Sequence, residues 1–201
     1  MVSAVSGTPS VDGRRARRDR GKTAVVDAMF ELLQEGQLPP AVEAIAERAG
    51  VSVSSVFRYF ENLDDLQQRT IERYFERFAS LFTIPAIGQG PLDDRIKRLV
   101  DSRLDLYEVI GPIARMARAR AVDSPRLART LDQTRSMQAG LVRTHFTPEL
   151  GSLTPARGDD LVMLIDSMTS FEAWDLLRTT HRRSRQQIRR AWLVGLKALC
   201  A

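Results

Sequence analysis

Ser52, Ser54, Ser55, Arg58 and Tyr59 fall in one short run, with Val53 and Phe57 between them. These side-chain types suit contact with nucleic acid. Hydroxyls and a guanidinium can bond phosphates and base acceptors, and small apolar groups can meet thymine methyls. On a helix, Val56 and Phe60 fall four apart as an inward stripe, which leaves Val53, Ser54, Ser55, Phe57, Arg58 and Tyr59 to the flank and the outward face. An αα-hairpin in an ordinary helical core would carry the same inward stripe, so the flanking elements must decide between the two readings.

Before this run, Ile45, Ala46 and Ala49 recur at helical spacing. Gly50 then sits where a helix needs a left-handed C-terminal residue, and Ser52 can cap a new helix before Val53. The pattern is helix, turn, helix. A further helix over about Thr23 to Glu35 carries Val26, Met29, Phe30 and Leu33 on one face and stops at Gly36. After the hairpin, Asn62 can cap a helix with Asp65 at its third position, a loose capping box. That helix carries Leu66, Ile71, Tyr74, Phe75, Phe78 and Phe82 and runs on as a connector.

Charge is uneven along the 201 residues. The net charge is +5, of which residues 1–22 supply four through Arg14, Arg15, Arg17, Arg18, Arg20 and Lys22 against Asp12 and Asp19. A charge run alone favours a solvated tail. Lying next to a helix-turn-helix, this one reads as a basic arm over residues 1–18 that can neutralise phosphates or enter a minor groove. Its first dozen residues lack a cationic start followed by an apolar stretch, so they read as a disordered tail and not a signal peptide. The longest sustained apolar run, Leu161 to Ile165, is far short of a membrane span, and the expected location is cytoplasmic.

Chemistry other than recognition finds little support. His145 and His181 are far apart, Cys200 has no second cysteine to pair with, and neither a Gly-rich phosphate loop nor a nucleophile elbow occurs. Asp64-Asp65 and Asp159-Asp160 open helices, where the helix dipole accounts for them. No catalytic residue, metal ligand or cofactor is expected, and the chain does not read as an enzyme.

The run IAERAGVSVSSVFRYFENLDDL, with the helix before it, resembles the N-terminal domain of the TetR (tetracycline-repressor type) family of bacterial transcription regulators. Ile45, Ala46, Ala49, Gly50, Val51, Ser52, Ser54, Ser55, Val56, Phe57, Tyr59 and Phe60 fill the family pattern, and the strict match covers about the first third of the chain. The resemblance implies an all-α protein that binds a double-stranded DNA operator. Three departures remove phosphate contacts usual in the family. Phe57 stands where Tyr is usual, Leu63 where Lys is usual, and Pro40 and Ala41 where a Thr or Ser caps the second helix.

A Pro/Gly cluster, Ile84 to Leu92, marks the expected hinge between a DNA-reading domain over 19–83 and a second helical domain over 84–201. Beyond it the pattern gives helices over Asp93 to Val109, from Pro112 after a break at Gly111-Pro112, from Ser124 to about Phe146, from Asp159 to Arg178 and from Ser184 to Leu199, with a loop from Thr147 to Gly158. From Leu161 to Leu177 apolar residues occupy more than one face, and the final helix repeats Ile188, Ala191, Trp192, Gly195, Leu196 and Leu199. The resemblance implies that these last two helices pair with their symmetry mates, so a homodimer is expected, with Trp192 and Gly195 at or beside the two-fold interface. The alternative is that both stripes are buried within one subunit.

The family's second domain usually encloses a small-molecule effector. The candidate lining residues are Leu104, Tyr107, Met116, Met137, Leu141, His145, Phe146, Met163, Ser167, Phe171 and Trp174, a set that suits an ordinary core equally well. Arg115, Arg118, Arg120, Arg126 and Arg129 form a basic rim, either solvated or directed at an anionic effector such as an acyl-coenzyme A thioester. The expected function is a ligand-responsive transcriptional regulator, most simply a repressor, with no membrane partner and an effector of unknown identity. A ligand-independent dimeric regulator is the alternative.

Overall fold

The computed structural model describes residues 11–200, and every regular element among them is helical. In chain order they are α1 (Val11–Gln34), α2 (Val42–Arg48), α3 (Val53–Tyr59), α4 (Leu63–Arg77), a 3-10 turn (Ala79–Phe82), α5 (Leu92–Ala121), α6 (Pro125–His145), α7 (Thr147–Leu150), α8 (Pro155–Met168), α9 (Phe171–Thr179) and α10 (Arg185–Cys200). They form two compact units, one ending at Tyr74 and the other beginning at Phe75, so the division falls inside α4. The expected hinge, Ile84 to Leu92, lies wholly within the second unit.

In the first unit, α1 lays Val25, Met29, Leu32 and Leu33 against Ile45 of α2, Val56 of α3 and Leu66 and Ile71 of α4, all buried. Burying each such side chain fully contributes about 1.5–3 kcal/mol before entropy is counted. The turns follow the sequence. Gly36 (φ 90°) and Gly50 (φ 66°) take the left-handed conformation. Gln37 N–H donates to Leu32 O and Val51 N–H to Ala46 O, both at 3.0 Å, which closes α1 and α2 as Schellman ends. Asp65 N–H donates to Asn62 Oδ1 (2.8 Å), the expected cap, while Asp65 Oδ2 accepts from Glu61 N–H (3.2 Å), one residue before the cap and not from Asn62 itself. Arg48 clamps Glu35 through bonds of 2.8 and 2.9 Å, tying α2 to the end of α1. That bond and the Arg48 charge hold the Glu35 carboxyl below its ordinary range.

One expectation is corrected here. Residues 11–18, read as part of a disordered arm, are helical, and α1 begins well before Thr23. Arginine and alanine are good helix formers, and Gly21 alone does not stop the helix. Residues 1–10 of the expected arm lie outside the described residues.

In the second unit, α5 is packed by α6, α9 and α10, and α8 packs on α6 and α10. An ionic ladder joins α5 to α10: Lys197 to Asp93 at 2.7 Å, Arg189 to Asp101 at 2.6 Å and Arg185 to Asp105 at 2.7 Å. The carboxylates ascend along α5 as the cations descend along α10, so the helices are antiparallel. Each exposed pair contributes only about 0–1 kcal/mol, but together they fix the register.

Buried Arg95 donates to His145 O (2.8 Å), Gly90 O (3.1 Å) and the Glu149 carboxylate, which holds the Gly-rich segment before α5 to the end of α6. The break expected at Gly111-Pro112 does not occur, since α5 runs through it. Proline removes one backbone bond, whereas Tyr107, Ile110, Ile113, Met116 and Ala117 on either side are all buried and hold the helix in place. The single helix expected from Asp159 to Arg178 is instead α8 and α9. Thr169 Oγ1 bonds back to Ile165 O (2.8 Å), and Ser170 caps the new helix by accepting from Ala173 N–H (3.1 Å). The loop expected over Thr147 to Gly158 contains the short α7 and the start of α8.

Candidate nucleic-acid interface

Ser52 caps α3 by accepting from Ser55 N–H at 3.2 Å, and its hydroxyl also bonds those of Ser54 (2.9 Å) and Ser55 (3.0 Å). Arg58 donates to Ser55 Oγ at 3.0 Å while its guanidinium lies 5.6 Å from the Tyr59 ring centroid. Three hydroxyls, one guanidinium and one aromatic ring thus form a connected polar surface along α3. Val56 and Phe60, at 1% and 2% exposure, face the core as expected. Phe57 is 49% exposed and stands outward beside Arg58, an apolar group fit to meet a thymine methyl. Val53 is half-buried at the N-terminal end.

Tyr59 is less available than expected. A Cβ at Gly21 of α1 would stand 2.6 Å from Tyr59 Oη and 2.7 Å from Cζ, so the ring is seated on α1. Arg18 Nη2 donates to Arg58 O at 3.3 Å, joining the arginine-rich half of α1 to the end of α3. Arg14, Arg15, Arg17 and Arg18 are exposed, and Lys22 is half-buried. Sequence reasoning missed this coupling because nothing local to Gly21 announces a partner far along the chain. At the start of α2, Ala41 is the N-cap and makes no side-chain cap bond, in keeping with the departure noted at Pro40 and Ala41.

The expected effector lining divides. Leu104, Tyr107, Met116, His145, Phe146, Phe171 and Trp174 are buried, and Leu141 is half-buried. Met137 is 45% exposed and Met163 59% exposed, and Ser167 is exposed beside Met163 on the outer face of α8. Met163 and Ser167 do not join the buried set, because α8 turns Val162, Ile165 and Asp166 inward instead, and Met137 stands on the exposed side of α6. Tyr107, Phe171 and Trp174 pack ring against ring with centroids 5.6 to 5.9 Å apart. Burial raises the Tyr107 pKa, and its hydroxyl donates to Thr169 O at 2.9 Å. The buried Trp174 indole N–H has no acceptor among the described residues.

His145 is not a polar handle in a pocket. Its Nδ1 accepts from Gly88 N–H (3.0 Å) and its Nε2 bonds Arg95 O (2.8 Å). The basic rim is partly neutralised. Arg115 pairs with Asp175 and Arg118 with Glu172, both at 2.7 Å, while the guanidinium of Arg118 lies 4.1 Å from the Phe171 ring centroid. Burial raises the Glu172 pKa, but the Arg118 bond and the Arg118 and Arg135 charges outweigh it, leaving the carboxyl below its ordinary range. Met137 instead lines a groove of about 340 Å³ with Phe75, Ala79, Phe82, Thr130, Gln133 and Thr134. Burial pushes the Cys200 thiol up to about 11, which leaves it a weak nucleophile.

Trp192, expected at a two-fold interface, is 2% exposed within the second unit, and a Cβ at Gly195 would stand 2.8 Å from Met168 Sδ of the same chain. Gly195 thus packs against α8 of the same chain, and Trp192 is buried within the same unit. The large apolar residues exposed on these helices are Met163, Leu164 and Val194, at 59%, 53% and 65%. No helix among the described residues is long and apolar enough to cross a membrane, and no cluster of potential metal ligands occurs among them.

Residues 25–70 match the family described as bacterial regulatory proteins, tetR family. The chain is 30% identical over 106 residues to the HTH-type transcriptional repressor LfrR of Mycolicibacterium smegmatis. That match covers 53% of this chain and 52% of the relative, so it spans about half the length of the repressor. Among solved structures, a tetR-family transcriptional regulator from Streptomyces coelicolor superposes with a TM-score of 0.70 at 23% identity, over 90% of this chain and 80% of that one. A TetR-family regulator from Rhodococcus sp. gives 0.64 at 18% identity, over 92% and 100%. At such identities these superpositions establish the fold, and residues 25–70 form a DNA-binding segment of the family described as bacterial regulatory proteins, tetR family.

Proposed function

We propose that this protein is a homodimeric transcriptional repressor that reads a palindromic operator through α3 and releases it on binding a small apolar or amphipathic effector. The observation that carries the DNA reading is the Ser55–Arg58–Tyr59 surface. Arg58 is held outward by a bond to Ser55 and by the adjacent ring, so little rotamer freedom remains to be lost on contact with a base. A bidentate Arg–guanine contact contributes about 1–3 kcal/mol of discrimination. The relative's role as a repressor supports the direction of regulation.

The effector site we assign is the groove between the 3-10 turn and α6. Its walls are Phe75, Phe82 and Met137, and the Thr130 and Thr134 hydroxyls already donate to carbonyls within α6. Such a groove favours an apolar ligand oriented by Gln133. The carboxylates beside Arg115 and Arg118 argue against an anionic effector at that edge. The ring-on-ring packing of Tyr107, Phe171 and Trp174 favours the second reading, a dimer that regulates without a ligand.

Selection from randomised duplexes, followed by titration of the selected site with wild type and Arg58→Ala, tests the proposal. Wild type should show a palindromic preference, and the variant should lose about 1–3 kcal/mol with relaxed choice at one base pair per half-site. Equal loss on all duplexes would make Arg58 a phosphate contact. Absence of any preferred site would end the operator reading.

A further inference from the structure

Arg14, Arg17, Arg18 and Gly21 occupy positions i, i+3, i+4 and i+7 of α1, so they form one stripe. The inner end of this stripe is anchored. Gly21 lies against the Tyr59 ring, with no room for a Cβ, and Arg18 bonds the carbonyl of Arg58. The outer arginines therefore lie on the part of α1 that precedes its contact with the C-terminal end of α3. They are exposed, and none of Arg14, Arg17 or Arg18 forms an ion pair with a described side chain. From Gly21 back to Val11 the helix rises about 15 Å at ~1.5 Å per residue.

We infer that the helical extension of α1 is a second DNA contact, a rigid cationic rod that lies along the phosphates flanking each half-site. The inference rests on the proposal that α3 reads DNA. A flexible arm would enter the minor groove and respond to its width and A·T content. A helix carrying its arginines on one face fits the evenly charged phosphate line instead, and its length spans about four base-pair steps at ~3.4 Å each. It adds affinity and salt dependence without adding base preference.

The test uses the full chain and its selected site, embedded in duplexes with flanks of graded length, titrated over a range of salt. Wild type should need about four flanking base pairs beyond each half-site for full affinity. Arg14→Gln with Arg17→Gln should lower the salt slope by about 1.8, at ~0.9 per phosphate, and remove the flank dependence while leaving the preferred site unchanged. Arg15→Gln with Arg20→Gln, off the stripe, should change the slope less. Ala16→Pro keeps every charge but breaks the helix, and should also remove the flank dependence.

Flank dependence that survives Ala16→Pro would overturn the rod in favour of a flexible arm. Equal slopes for the on-stripe and off-stripe pairs would overturn the stripe. Site-specific binding without any flank dependence would remove this contact and leave the α3 reading intact. Flank dependence without site preference would remove the α3 reading and leave the contact.

Discussion

The Trp174 indole lies against the α5 backbone at Gly111, with Cη2 2.9 Å from where a Cβ would stand and Cζ3 at 3.2 Å. Gly111→Ala sets two effects against each other. Removing a helix-interior glycine contributes about 1 kcal/mol of stability, while overpacking against a rigid indole costs about 1–3 kcal/mol. The ring is fixed on its other sides by Tyr107 and Phe171, so the clash should win. We expect a net loss near 1 kcal/mol and a fall in Tm of about 2–4 °C. Both tryptophans lie in the second unit, so their emission reports on that unit alone. An unchanged or raised Tm would show that the indole can relocate at little cost.

The turns were legible in the sequence where one residue type has one physical role. Gly36, Gly50, Ser52 and Asn62 each end or begin a helix where their chemistry requires it. Gly111-Pro112 is a local break signal that the buried stripe on either side of it overrides, and only packing reveals that stripe. The arginine run is ambiguous for another reason, since arginine suits a solvated arm and an exposed helix alike. On α8, apolar residues cover so much of the circumference that sequence could not say which face turns inward. Met163 and Ser167 accordingly stand on the exposed face and not in the interior that their residue types suggest.

Leu164 and Val194 supply the dimer prediction. Each exposes more than half its surface, on adjacent helices whose internal contact is the close approach of Gly195 to Met168. Exposed apolar patches of this kind mark association sites. Leu164→Glu with Val194→Glu should give a folded monomer by sedimentation equilibrium and weaken operator binding by the loss of the second reading head. Gly195→Ala should instead lower stability while leaving the dimer whole. A double glutamate variant that stays dimeric would move the interface elsewhere.

The pH dependence of the second unit should be governed near neutrality by His145. Its Nδ1 can accept the Gly88 N–H, while its Nε2–H donates to Arg95 O, only if the imidazole is neutral. Burial lowers its pKa below the ordinary value. The backbone bond to Arg95 opposes this, the charges of Arg98 and Arg95 add to the lowering, and Glu149 acts against them. Unfolded His145 takes up a proton near its ordinary pKa of ~6.5, where the folded ring resists doing so. Below that pH the unfolded state binds more protons, so the contribution is fully present above about pH 6.5 and is lost as pH falls toward the folded value. The slope can reach about 1.4 kcal/mol per pH unit. Urea midpoints read by tryptophan emission should therefore fall between about pH 7 and 5, above the range in which ordinary carboxylates titrate. His145→Asn keeps an acceptor near Gly88 but cannot titrate, so it should be less stable at pH 7 and nearly flat across that window. A variant as steep as the wild type would show that the Gly88–His145–Arg95 latch does not carry the acid sensitivity.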